Sequence, residues 1–126
     1  MSRIFKSGTV VGLGESNILS TESWTGRYIN GEKIYQKMVV LGSVSTGYTQ
    51  HSHGISNINR VTSIYGYFIE TGNDRVNKLP ISPCDNMANY GIDIVDFNST
   101  TFFTLVGSRR SISSMNVCIE YTKTTG

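Results

Sequence analysis

No window of useful length in this chain holds apolar residues at i, i+3, i+4 and i+7, the spacing that a helix face needs. Runs with a period of two recur instead, which leaves strands as the building material. The cleanest is SMNVCIEYTK at 114–123: Met115, Val117, Ile119 and Tyr121 face one way, and Asn116, Cys118, Glu120 and Thr122 the other. WTGRYIN (24–30) and EKIYQKMVVL (32–41) flank Asn30-Gly31. That dipeptide predicts a hairpin, because both central residues of a type I′ turn need positive φ. In the second arm Ile34, Gln36, Met38 and Val40 oppose Tyr35, Lys37, Val39 and Leu41; both faces turn apolar over 38–41, which predicts burial on both sides there. RVTSIYGYFIET (60–71) carries Gly66, the mark of a bulge or a close neighbour. NYGIDIVDF (89–97) turns Ile92 and Ile94 inward, and TTFFTLVG (100–107) follows the turn signal Asn98-Ser99. Loops are expected at 42–50, 72–88 and 107–113. Five or six strands at this spacing predict an all-β chain, an antiparallel β-sandwich. Trp24 opens a strand and is read as packed.

A chain of 126 residues is one domain, here 21–126. Residues 1–20 are rich in small residues and weakly patterned: an extended arm that docks on another chain or tethers the domain, or else a frayed terminus or edge strand. The net charge of +2, with Arg109-Arg110 as the basic doublet, argues against nucleic acid. Charged residues make up only 16%, so copies of the chain are expected to cover part of its surface. Cys84 and Cys118 lie far apart without CxxC spacing, neither a zinc pattern nor a disulfide framework, and Cys118 reads as a small packed residue. The N-terminus lacks the apolar stretch of about 7–15 residues that a secretory signal needs. No apolar run approaches the ~18 residues of a membrane helix. These points predict synthesis in a cytoplasm and no membrane insertion.

Catalytic patterns are missing. There is no GxSxG, HExxH or phosphate loop, and Asp93 and Asp96 cannot share a strand face. The chain is therefore read as a non-enzyme without cofactors. His51 and His53 point the same way on an extended chain. At the axis of a trimer such pairs would offer six imidazoles to a metal. The plainer reading, which is adopted, has His53 bonding a backbone carbonyl to fix the turn at Gly54, with His51 exposed. Seven Tyr, one Trp and many Asn, Ser and Thr suit contact with saccharides, whose C–H faces stack on aromatic rings. Loops on a rigid scaffold are where such residues act. The candidates are Tyr48, Asn73, Asp74, Arg75, Asn77, Asn86, Asn89, Tyr90, Arg109 and Arg110. The YINGEKIY hairpin reads as scaffold.

STESWTGRYINGEKIYQKMVVLG, HGISNINRVTSIYG and CIEYTKTTG occur in that order. They resemble the Ser-Thr-Glu/Asn-Gly/Ile-Tyr-x-Lys start, the His-Gly-Ile-x-Asn-Ile middle and the Tyr-Thr-Lys-Thr-Thr end of a β-domain found at the tips of bacteriophage and prophage tail fibres and other virion-surface proteins. The resemblance covers about residues 20–126 and leaves out the first segment. It implies a homotrimeric, jelly-roll-like knob on a virion fibre that mediates attachment to a host cell-surface glycan or protein. It also allows a capsid-decorating head fibre, or a trimerising cap without a receptor of its own. In either case residues 1–20 are expected to contact other virion proteins. In the family pattern only the second histidine has a counterpart, in line with the plainer reading of His53.

Overall fold

The computed structural model describes residues 20–72, 75–79 and 87–124. The expected arm, Asn73, Asp74, Asn86 and Cys84 lie outside the described residues, Ser20 of the arm excepted. The strands are β1 (Ser23–Ile29), β2 (Glu32–Val44), β3 (Gly47–Ser52), β4 (Ile58–Glu70), β5 (Val76–Leu79), β6 (Ile92–Val95), β7 (Thr101–Val106) and β8 (Ile112–Lys123); one helical turn, α1 (Met87–Tyr90), precedes β6. The chain is all-β. A five-stranded sheet runs β1-β2-β8-β4-β5 and a three-stranded sheet β3-β7-β6, and every pairing is antiparallel. The larger sheet curls into half a barrel.

Asn30 and Gly31 take φ of 50° and 79° and let Ile29 pair with Glu32, the hairpin that the sequence predicts. β8 lies between β2 and β4, and as the central strand it is buried on both faces, down to Cys118, Glu120 and Thr122. Its Met115, Val117, Ile119 and Tyr121 join Phe68, Phe102, Val106 and Ile92 in one hydrophobic cluster that draws on both sheets. A Cβ on Gly66 would collide with the backbone of Asn116, so the glycine marks a close neighbour.

Four expectations change. Val40 is 62% exposed, so the end of β2 is not buried on both sides. β3 occupies much of the expected loop 42–50. Its alternation is hidden because the inward residues paired with β7, Thr49 and His51, are polar. β5 crosses the expected loop 72–88. Asn89 and Tyr90 belong to α1 instead of opening a strand. The helical turn docks on the chain after β7: Gly107, Ser108 and Arg109 donate their amides to the carbonyls of Gly91, Ala88 and Asn89 at 2.8, 3.0 and 2.9 Å. Only glycine fits at 107, since a Cβ there would strike the backbone of Asn89 and Tyr90.

Candidate functional site

β1 and β2 place Trp24 opposite Tyr35 and Tyr28 opposite Lys33, so these four side chains share one face of the sheet. Between Trp24 and Tyr28 the register shifts at a bulge where Gly26 takes a φ of 84°. The shift leaves the two rings edge to face with centroids 5.7 Å apart, 47% and 58% exposed. Trp24 is thus an exposed residue and not a packed one. The Lys33 ammonium lies 4.9 Å from the centre of the Trp24 ring.

Beside this aromatic pair opens a cleft of about 430 Å³, bounded by Gly31, Glu32, Lys33 and Tyr35 from the hairpin and by Glu22, Asn57, Lys123 and Thr124 from elsewhere. The volume suits a small ligand. Tyr35 stacks on Tyr121 at 6.3 Å, and Lys123 sits 5.8 Å over the Tyr35 ring. Glu22 accepts from the Tyr121 hydroxyl at 2.6 Å and from Lys123 Nζ at 2.9 and 3.0 Å. Burial alone would raise the Glu22 carboxyl. The bonds from Tyr121 and Lys123, with the charges of Lys123 and Lys37, outweigh burial and hold it below the ordinary glutamate value. Burial, then the Glu22 carboxylate, pushes the Tyr121 phenol far up, so it stays a donor. Across the cleft, Asn59 Nδ2 donates to both Glu32 oxygens at 3.0 and 3.2 Å, and Arg60 stands 4.0 Å from Glu32. Asn57, at φ 59°, accepts from the Thr124 amide at 2.7 Å. The hairpin read as scaffold therefore forms a wall of this cleft.

The candidates taken from the sequence separate. Tyr48 lies in β3 and not in a loop; it is 53% exposed and stacks on Phe103 at 4.4 Å. Asn77 lies in β5 and donates to the carbonyl of Arg75, which precedes that strand. Asn89, Tyr90, Arg109 and Arg110 do come together where α1 meets the β7–β8 connection. Ser108 Oγ donates to Asn89 Oδ1 at 3.0 Å. Arg110 braces this corner: Nε donates to the Tyr90 carbonyl at 2.9 Å, Nη1 pairs with Glu70 at 3.0 Å, and the guanidinium lies 5.8 Å over Phe68. Arg109 and Tyr90 point to solvent. None of these candidates lines the cleft.

His53 is 1% exposed. Its Nδ1 accepts from the Ile55 amide at 3.0 Å, which leaves Nε2–H to donate to the Asn98 carbonyl at 2.9 Å, while the ring stacks on Phe97. Both nitrogens are engaged, so His53 fixes the turn at Gly54 as the plainer reading has it. Lys37 Nζ fastens the same turn through the carbonyls of His53 and Gly54 at 2.9 and 3.3 Å. His51 is half-buried instead of exposed, with Nε2 2.9 Å from the Thr104 hydroxyl, and burial lowers its pKa. On the opposite face of the sheet Glu120 is held by Arg27 at 2.9 Å and by the Tyr65 hydroxyl at 3.1 Å. The Tyr65 phenol is pushed up to about 12 by burial first and by Glu120 second. Burial and Glu120 likewise raise the Cys118 thiol. Among the described residues no helix is long and apolar enough to cross a membrane.

Sequence reasoning missed Glu22, Glu32, Lys33, Tyr35, Asn57 and Lys123 as a group. A signal was present: each falls in one of the three segments that carry the family resemblance. Set against protein-family models, curated proteins and solved structures, the chain matches none of them.

Proposed function

We propose that this chain is the tip module of a virion fibre, a homotrimeric jelly-roll-like sandwich that attaches to a saccharide on the host cell surface. The observation that carries this reading is convergence. Glu22, the Gly31–Tyr35 arm, Asn57 and Lys123 come from three segments far apart in sequence, and they border one cleft beside two exposed aromatic rings. Aromatic faces with carboxylate, amide and ammonium groups around them are the means by which proteins hold polyols. The module binds and does not cleave. A glycosidase acid needs a raised carboxyl pKa, whereas Glu22 is held low, and Glu32 is engaged by Asn59.

The capsid-decorating reading draws on a different feature. The outward face of the three-stranded sheet carries Tyr48, Phe103 and Leu105, an apolar surface suited to protein contact. One experiment separates the two readings. The full chain is applied to an array of bacterial cell-wall and capsular saccharides and to purified virion proteins. Retention on saccharides that drops in Trp24→Ala and Tyr28→Ala supports attachment. Retention on virion proteins alone, unchanged in both variants, replaces attachment with decoration.

A further inference from the structure

The charges around the cleft do not balance in the way its composition suggests. Glu22 is matched by Lys123 at 2.9 Å. Glu32 takes two hydrogen bonds from Asn59 and faces Arg60 at 4.0 Å. Lys33 is left over: it forms no ion pair among the described residues, and its contact is with the face of Trp24. A ring face attracts an ammonium group without neutralising its charge. Opposite Lys33 in the register stands Tyr28, the more exposed of the two aromatic residues. A cation with no ion pair among the described residues thus lines the cleft, 4.9 Å from the exposed Trp24 ring and opposite Tyr28 in the register.

Resting on the saccharide-binding reading above, we infer that the cleft selects sugars bearing a negative substituent, a carboxylate or a phosphodiester. The sugar ring stacks on Trp24 or Tyr28 and its anionic group meets Lys33. The charge of Glu22 is offset by Lys123 at 2.9 Å and that of Glu32 in part by Arg60 at 4.0 Å, which leaves the Lys33 ammonium to meet the anionic group. A cationic amino sugar would meet Lys33 unscreened, and a neutral one would leave it without a counter-charge.

The test titrates the full chain by calorimetry with four probes: oligogalacturonate, a glycerol-phosphate polymer, a neutral galactan of matched length, and inorganic phosphate. At low salt at least one charged polymer is expected to bind about tenfold more tightly than the galactan, the scale of a charged hydrogen bond. The preference should fade at high salt, vanish in Lys33→Gln and survive in Lys33→Arg. Melting curves of both variants establish that the fold is intact. The two polymers distinguish a carboxylate from a phosphodiester. Phosphate binding as well as the polymers would overturn recognition of a saccharide. Equal binding of galactan and charged polymers, or a preference untouched by Lys33→Gln, overturns the charge selection and leaves the cleft reading standing. Binding of no probe removes both.

Discussion

Glu22 joins the start of the described chain to its last strand, through Tyr121 and Lys123 of β8. Its folded pKa lies below the ordinary 4.5, so the unfolded chain takes up the proton first as the pH falls. Stability from this carboxylate is complete above the ordinary value and is lost as the pH drops through the folded one. His51 acts in the same direction at higher pH. Burial lowers its pKa from 6.5, so below 6.5 the unfolded chain is favoured by proton binding. The melting temperature should therefore fall in two windows on acidification, the first starting near 6.5 and the second near 4.5. His51→Gln is expected to flatten the first window and Glu22→Gln the second; a single window that neither variant alters would refute the assignment. Lys37 was legible as part of a motif but not as a fastener. Its two carbonyl acceptors lie 16 and 17 residues downstream, a distance that strand periodicity does not report.

The hairpin at 23–44 was legible because its turn chemistry is local: Asn30 and Gly31 set φ on their own. β8 was legible because its alternation survives burial on both faces. β3 was not, since its inward positions hold Thr49 and His51 where an alternation count looks for apolar residues. α1 was hidden for another reason. One turn of helix has too little periodicity to detect, and it is held by three amides some twenty residues away in the chain. Gly107→Ala should consequently destabilise the protein by about 1–3 kcal/mol through overpacking. Faster hydrogen exchange at the amides of 107–109 in that variant, with β8 still protected, would locate the damage at this junction. Gly31→Val forces a branched side chain to a φ of 79° and is expected to cost about 1–2 kcal/mol. Because the hairpin walls the cleft, the proposed saccharide binding should weaken as well. That result departs from a purely scaffolding role, and titration at a temperature where the variant is fully folded measures it.

The described residues expose more apolar surface than the cleft and its neighbouring rings account for. Trp24 and Tyr28 share a sheet face with Lys33 and Tyr35 of the cleft wall, but Tyr48, at 53%, and Leu105, at 37%, stand opposite each other in the β3–β7 register on the outward face of the three-stranded sheet. Phe103 stacks beneath Tyr48, and Val95, its partner in β6, continues the patch. Among the described residues β3 and β6 are the edge strands of that sheet, and a sheet edge is a place where another chain can pair. Sparse charge and an apolar outer face fit closed assembly of identical subunits, for which cyclic symmetry is the ordinary solution. If three copies meet through this face, sedimentation equilibrium should return three times 13.9 kDa. Introducing charge through Tyr48→Glu with Leu105→Lys places unmatched ions in a desolvated contact and should release single chains. Those chains should keep the melting behaviour of Glu22 and the Lys33 preference per subunit, because neither group touches the patch, while losing the gain in apparent affinity that three joined clefts give on a polymeric saccharide. A mass of one subunit for the unaltered chain at every concentration would leave the patch to a different protein and favour the decoration reading over the attachment reading.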